Sequence, residues 1–254
     1  MKKFAMRITY DGSRYHGWQR QKNAVTVQQR IEEALAETLG APTQVTGCSR
    51  TDAGVHARNF VFHFVSDTRI PAEKLPYALN YRLGTDISAL AAQVVPDDFH
   101  ARFSARGKRY TYQIWNAKIQ DPFLVRYSWH LPYSLDVAAM RQAAPHFLGT
   151  HDFAGFMAAG GDQKTTVRTV RRCEVSQDSA RPAAVRITVE ADAFLYNMVR
   201  IITGTLTDVG LGRLPAAEIP AVIQSADRTR GGMTAPPQGL FLEDVYYEPE
   251  VCRT

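Results

Sequence analysis

Most of the regular structure this chain can form is strand, laid down in short segments with few helices between them. FAMRITY, residues 4–10, alternates Phe4, Met6, Ile8 and Tyr10 and reads as a half-buried strand. NFVFHFV, residues 59–65, is apolar on both faces, the pattern of a central strand. RYTYQIW (109–115) puts Tyr110, Tyr112 and Ile114 on one face. VRRCEV (170–175) and VRITVEA (185–191) are further strands, and GLFLEDVYY closes the series. Helical spacing is clearest over 26–40. There Thr26 and Gln29 form a capping box, Val27, Ile31, Ala34, Leu35 and Leu39 make the apolar stripe, and Gly40 ends it. A second helix is expected from about Leu135, ending or kinking at Pro145, and a third from Phe194 to about Val209. Strands clustered with so few helices predict antiparallel α+β halves, not a doubly wound parallel sheet.

The 254 residues leave room for one large or two modest domains, and 45% hydrophobic content supports a buried core. The second half is expected to begin around Ala105 to Gly107, which gives expected domains at residues 1–105 and 106–254. No apolar run approaches the roughly 20 residues that span a bilayer, and MKKFAMRITYDG meets Arg7 and Asp11 too early for a secretory signal. Cys48, Cys173 and Cys252 lie far apart without a CxxC pair, which argues against a structural zinc site and fits a reducing cytoplasm. No dinucleotide fingerprint or phosphate-binding loop occurs, so neither a cofactor nor a metal is expected.

Lys and Arg exceed Asp and Glu by 30 to 25, and their distribution is more informative than the total. Arg102, Arg106, Lys108 and Arg109 follow one another without an acid; Arg168, Arg171 and Arg172 form a second cluster; Arg14, Arg20 and Lys22 form a third. Each lies beside aromatics or turn residues, as expected where phosphates are held and bases stack. In the third expected helix, Leu195, Met198, Ile202, Leu206 and Val209 make a stripe, with Asn197, Arg200 and Gly204 nearly opposite. A glycine one turn from Arg200 leaves space for a backbone or a ligand to come close.

The chemistry centres on GCSRTDAGVHAR, residues 47–58. An aspartate followed by Ala53-Gly54 belongs in a tight loop, and an Asx-type turn alone would account for it. The loop feeds the buried strand 59–65, which makes a rigid mount for Asp52. His56 and His63 invite a metal reading with Asp52, but no third carboxylate or cysteine accompanies them, so both are expected to be structural.

This motif, together with YDGSRYHGWQRQ, VPDDFHARFSARGKRYTYQI, FLYNMVRIITGTLTDVG and TAPPQGLFLEDVYY in that order, resembles the TruA family of tRNA pseudouridine synthases. The likeness spans nearly the whole chain, with Ser49 and Asn197 departing from the common pattern. It implies two similar α+β halves, each a mainly antiparallel sheet flanked by helices, with a positively charged active-site cleft between them. The implied reaction breaks the N-glycosidic bond of a uridine at tRNA positions 38, 39 or 40 and rejoins the turned uracil through C5. It implies Asp52 as nucleophile, Arg200 as its ionic partner, and a cytoplasmic homodimer using neither nucleotide cofactor nor membrane. On this reading Tyr110 stacks on the uracil and is a candidate to remove the C5 proton, the alternative being a strand aromatic packed in a core with Tyr112. Arg50 fills the space left by the extruded base, and Thr51 braces the loop.

Overall fold

The computed structural model describes residues 1–161 and 164–253, and the chain divides into two compact units. One is Met1–Gly107 together with the residues from Phe241 on; the other is Lys108–Leu240.

The first unit contains β1 (Lys2–Tyr10), β2 (Thr46–Gly47), β3 (His56–Ser66) and β4 (Ile87–Val95). Antiparallel pairing puts β1 between β3 and β4, with β2 paired to β3. The register sets Phe4, Met6 and Ile8 opposite Phe64, Phe62 and Phe60, so the alternation read from the sequence becomes one continuous apolar face. All six side chains are buried, and Phe4 stacks on Phe64 with centroids 5.3 Å apart. The opposite face is less covered: Val61 is buried, but His63 is half-buried and Val65 exposed.

Helix α1 (Val27–Leu39) begins and ends where expected. Thr26 caps its start by accepting from the Gln29 amide at 3.3 Å, and Gly40, at φ 74°, closes it in the left-handed region. Only half the capping box forms, because the Gln29 side chain donates forward to Glu33 at 2.8 Å. Val27, Ile31, Ala34 and Leu35 are buried, while Leu39 is half-exposed. A short α2 (Leu75–Asn80) completes the unit's helices.

The second unit opens with β5 (Gly107–Asn116), followed by β6 (Trp129–Leu131), β7 (Gly149–Asp152), β8 (Val167–Gln177) and β9 (Ala184–Ala191). Strand β9 lies between β5 and β8, and β7 pairs with β8, all antiparallel. Tyr110, Tyr112 and Ile114 face the core opposite Val189, Ile187 and Val185. Its helices are α3 (Val137–Ala143), α4 (Met198–Gly210) and α5 (Ile219–Ser225). Helix α3 starts at an Asp136 cap, and Pro145 falls in the 3-10 turn Ala144–Phe147 that ends it.

Helix α4 departs from the reading of a helix starting at Phe194 with one polar side. It begins at Met198 because Asn197 stands at φ 61°, ψ 8°, a conformation no helix interior accommodates. It is also buried almost all round, including Thr203, Gly204, Thr205 and Thr207. The hydroxyls of Thr205 and Thr207 hide by donating to the carbonyls of Ile201 and Thr203.

The last strand, β10 (Leu240–Tyr246), carries the chain back to the first unit. Phe241 and Leu242 pair in parallel with His56 and Ala57 of β3. The final residues are therefore part of the first unit, whereas the sequence reading grouped 106–254 together. Among the pairings described here, this one and that of β5 with β6 are parallel and the rest antiparallel.

Candidate active site

Asp52 opens a four-residue turn in the first unit. The Val55 amide donates to the Asp52 carbonyl at 3.2 Å, and Gly54 supplies the positive φ, 78°, that the third position requires. The Gly54 amide donates to the Tyr15 carbonyl at 3.1 Å. The Trp18 amide donates to the Thr51 carbonyl at 3.1 Å, and the Thr51 and Tyr10 hydroxyls bond at 2.8 Å. Thr51 is 7% exposed and Asp52 half-buried, so the turn is held from below while its carboxylate sits at the boundary with solvent.

The bracing comes from YDGSRYHGWQRQ, a segment to which the sequence reading gave no mechanistic role beyond RNA or interface contact. Gly17, at φ 84°, lies so close to the Thr51 carbonyl that a side chain there would overlap it. Trp18 stacks on Phe60 of β3 at 4.0 Å. The carbonyls of Gly17 and Trp18 accept the first amides of α1, from Val27 at 3.2 Å and Gln28 at 3.0 Å. The Gly12–Trp18 segment thus links the helix start to the Asp52 turn through backbone groups, which no periodicity in the sequence marks. Two glycines before and beside an aromatic pair were the only signal available.

His56 and His63 are committed to this framework. His56 Nδ1 accepts from the Gly12 amide at 3.0 Å and its ring stacks on Phe241 at 4.6 Å. His63 Nδ1 accepts from the Ala101 amide at 3.1 Å. Burial, then the neighbouring His100 and Lys3, hold its pKa down to about 4, so the ring is neutral near pH 7. Each ring thus accepts from a backbone amide of the first unit.

In the second unit, Tyr110 is 6% exposed and meets Phe194 edge-on at 5.0 Å. Arg200, in the first turn of α4, donates through Nε to the Ala235 carbonyl at 2.7 Å and through Nη1 to Asn197 Oδ1 at 2.7 Å. The close approach expected at Gly204 is made by backbone. A Cβ there would overlap the Met233 carbonyl, and the Gly232 amide donates to Thr205 Oγ1 at 2.8 Å. Residues 232–235 lie along α4 and deliver the carbonyl that receives Arg200.

The basic residues divide by burial. Arg14, Arg20, Arg50 and Arg106 are exposed in the first unit. Arg20 pairs with Glu32 at 2.8 Å, and Arg14 stands 4.0 Å from Asp86. In the second unit Lys108 and Arg168 are each only 8% exposed. Both point inward on strands whose alternate positions form the core, and burial holds the pKa of Arg168 below its usual value. Arg109 is half-buried. Arg171 and Arg172 are both exposed because the β8–β9 register slips between Val170 and Arg172, turning two successive side chains outward. Arg172 bonds Glu174 at 2.7 Å.

Among the described residues no helix is long and apolar enough to cross a membrane. The sequence profile of the tRNA pseudouridine synthase family matches residues 6–104 and 143–248. A protein named tRNA pseudouridine synthase A from Thermoanaerobacter sp. (strain X514) is 48% identical over 240 residues, covering 94% of this chain and 97% of the relative. Relatives of the same name from Ruminiclostridium cellulolyticum and Syntrophotalea carbinolica are 48% and 45% identical, over 97% and 96% of this chain and 100% and 96% of their own lengths.

Proposed function

The chain belongs to the tRNA pseudouridine synthase family, and from that premise we propose that Asp52 is the nucleophile with which it isomerises uridine in the anticodon stem-loop of tRNA, at positions 38, 39 and 40. The observation that carries the assignment is the Asp52 turn, which fixes a half-buried carboxylate through backbone bonds on both sides. A nucleophile must hold its geometry while a glycosidic bond breaks, and a braced turn spends no energy on reorganising at that moment.

Arg200 serves as the cationic partner that keeps the carboxylate ionised as substrate displaces water. Tyr110 offers its ring to the uracil and its phenol to the C5 proton, which must leave once the base has rejoined through carbon. Nothing is oxidised and no group is lost, so the reaction is complete with these side chains. Arg50, exposed two residues before Asp52, occupies the space of the extruded base. Exposed Arg14, Arg20, Arg106, Arg171 and Arg172 contact phosphates, with the less accessible Lys108, Arg109 and Arg168 shaping the surface behind them. The working form is a cytoplasmic homodimer, which sedimentation of the purified protein tests.

Asp52→Asn keeps size and removes charge and nucleophilicity. It should fold and bind tRNA like the parent protein, yet release no tritium from tRNA labelled at uridine C5. Turnover by that variant would remove Asp52 from the chemistry. Mapping pseudouridine in tRNA from cells with and without the protein tests positions 38, 39 and 40 separately.

A further inference from the structure

We infer that Asn197 is a positioning residue that aims the Arg200 guanidinium, an inference that rests on the reading of Arg200 as partner of the catalytic carboxylate. Arg200 has five N–H donors in a rigid plane. Two of them are spent inside its own unit, on Ala235 O and Asn197 Oδ1, both at 2.7 Å. Two short bonds on different nitrogens fix a plane, where one would leave it free to rotate.

Both acceptors are themselves held. The Ala235 amide donates to the Arg200 carbonyl at 3.1 Å, so the two residues clasp each other through backbone and side chain. The segment before Ala235 is pinned by Arg228, which donates to the Gly232 carbonyl at 3.0 Å and to Thr234 Oγ1 at 3.1 Å. Asn197 reaches its place by a different route. At φ 61° it occupies the left-handed region, which disfavours side chains other than Asn, Asp and His and suits Gly best. That one conformation both starts α4 and turns the amide oxygen toward the guanidinium three residues on. A glycine would satisfy the backbone at least as well, so the retained side chain points to its acceptor as the reason for asparagine.

The test separates backbone from hydrogen bond. Asn197→Gly keeps the left-handed residue and deletes the acceptor. It should melt near the parent temperature, bind tRNA with an unchanged KM, and lose about tenfold in single-turnover rate, the factor for one charge-assisted hydrogen bond. The acid limb of its rate profile should move to higher pH, because a loosely held Arg200 stabilises the Asp52 carboxylate less. In the Arg200→Lys background, where the planar fork is gone, the same change should cost less than about twofold. Asn197→Asp keeps both backbone and acceptor but adds a rival negative charge, and should move the acid limb the same way. It serves as the decisive variant if the glycine substitution lowers the melting temperature.

If Arg200→Lys turns over like the parent, Arg200 is not the partner of the nucleophile and the underlying reading fails. If Arg200→Lys is crippled while Asn197→Gly is unaffected, or costs the same in both backgrounds, the reading stands and the positioning role is overturned. An Asn197→Asp protein with the parent pH profile also overturns it.

Discussion

A tyrosine at position 110 can serve packing with its ring and chemistry with its phenol, and the two roles separate on removing one oxygen. Tyr110→Phe keeps the edge-on contact with Phe194. If the phenol moves the C5 proton, tRNA binding survives and product formation falls by roughly 10²-fold. A rate within about threefold of the parent returns the residue to packing. His63 gives a second test at this scale, through stability. Its pKa in the folded chain is held near 4, below the usual 6.5, first by burial and then by His100 and Lys3. Between those values the unfolded chain binds a proton that the folded chain does not, so stability falls as pH drops through that window. The urea midpoint should decline from pH 6.5 towards 4, and His63→Asn, which can still accept from Ala101, should flatten part of that decline. An unchanged slope would show that other groups govern the acid response. Asp52, Arg200 and Tyr110 stand out by motif, whereas Gly12 and Gly17 act through backbone contacts some 40 residues away that side-chain patterns do not encode.

Elements were legible where their own side chains decide them. Helix α1 matches its caps, and in β1 and β5 the alternating residues read from the sequence, Phe4, Met6 and Ile8 and Tyr110, Tyr112 and Ile114, are buried. Helix α4 was not, since its start depends on the backbone angle at Asn197 and its burial on a segment some 30 residues further along. The apparent polar side of Asn197, Arg200 and Gly204 is in fact the side on which residues 232–235 lie. This yields a prediction for the element. Gly204→Ala suits an isolated helix better by about 1 kcal/mol, but here its methyl would overlap the Met233 carbonyl and displace the residues leading to Ala235. Thermal denaturation should register a loss of about 1–3 kcal/mol, the usual cost of overpacking. A stabilised Gly204→Ala protein would mean that residues 232–235 are not held where they lie.

At the scale of the whole molecule the two-unit α+β plan could be read from the strand pattern, but the destination of β10 could not. Periodicity gives a strand's faces and says nothing of its neighbour, and GLFLEDVYY follows the second unit directly in sequence. The outward pair Arg171 and Arg172 was likewise legible as charge and illegible as geometry, because the register slip that exposes both lies between strands. If they hold phosphates, tRNA affinity falls linearly with salt on logarithmic axes, and neutralising both lowers that slope by roughly 1–2 units. Single-turnover rates at saturating tRNA should change little. An unchanged slope with a collapsed rate would assign the pair to the chemistry or the fold instead. The return of β10 also orders events during translation. The chain leaves the first unit at Gly107 and comes back at Phe241, so the ribosome releases all of the second unit before the last strand of the first exists. Until then β3 lacks its partner at His56 and Ala57, and the His56 ring that holds Gly12 lacks its stacking neighbour. The unit bearing Asp52 is begun before the second unit and completed after it, so a nascent chain acquires the final setting of the Asp52 turn only once the second unit has been made.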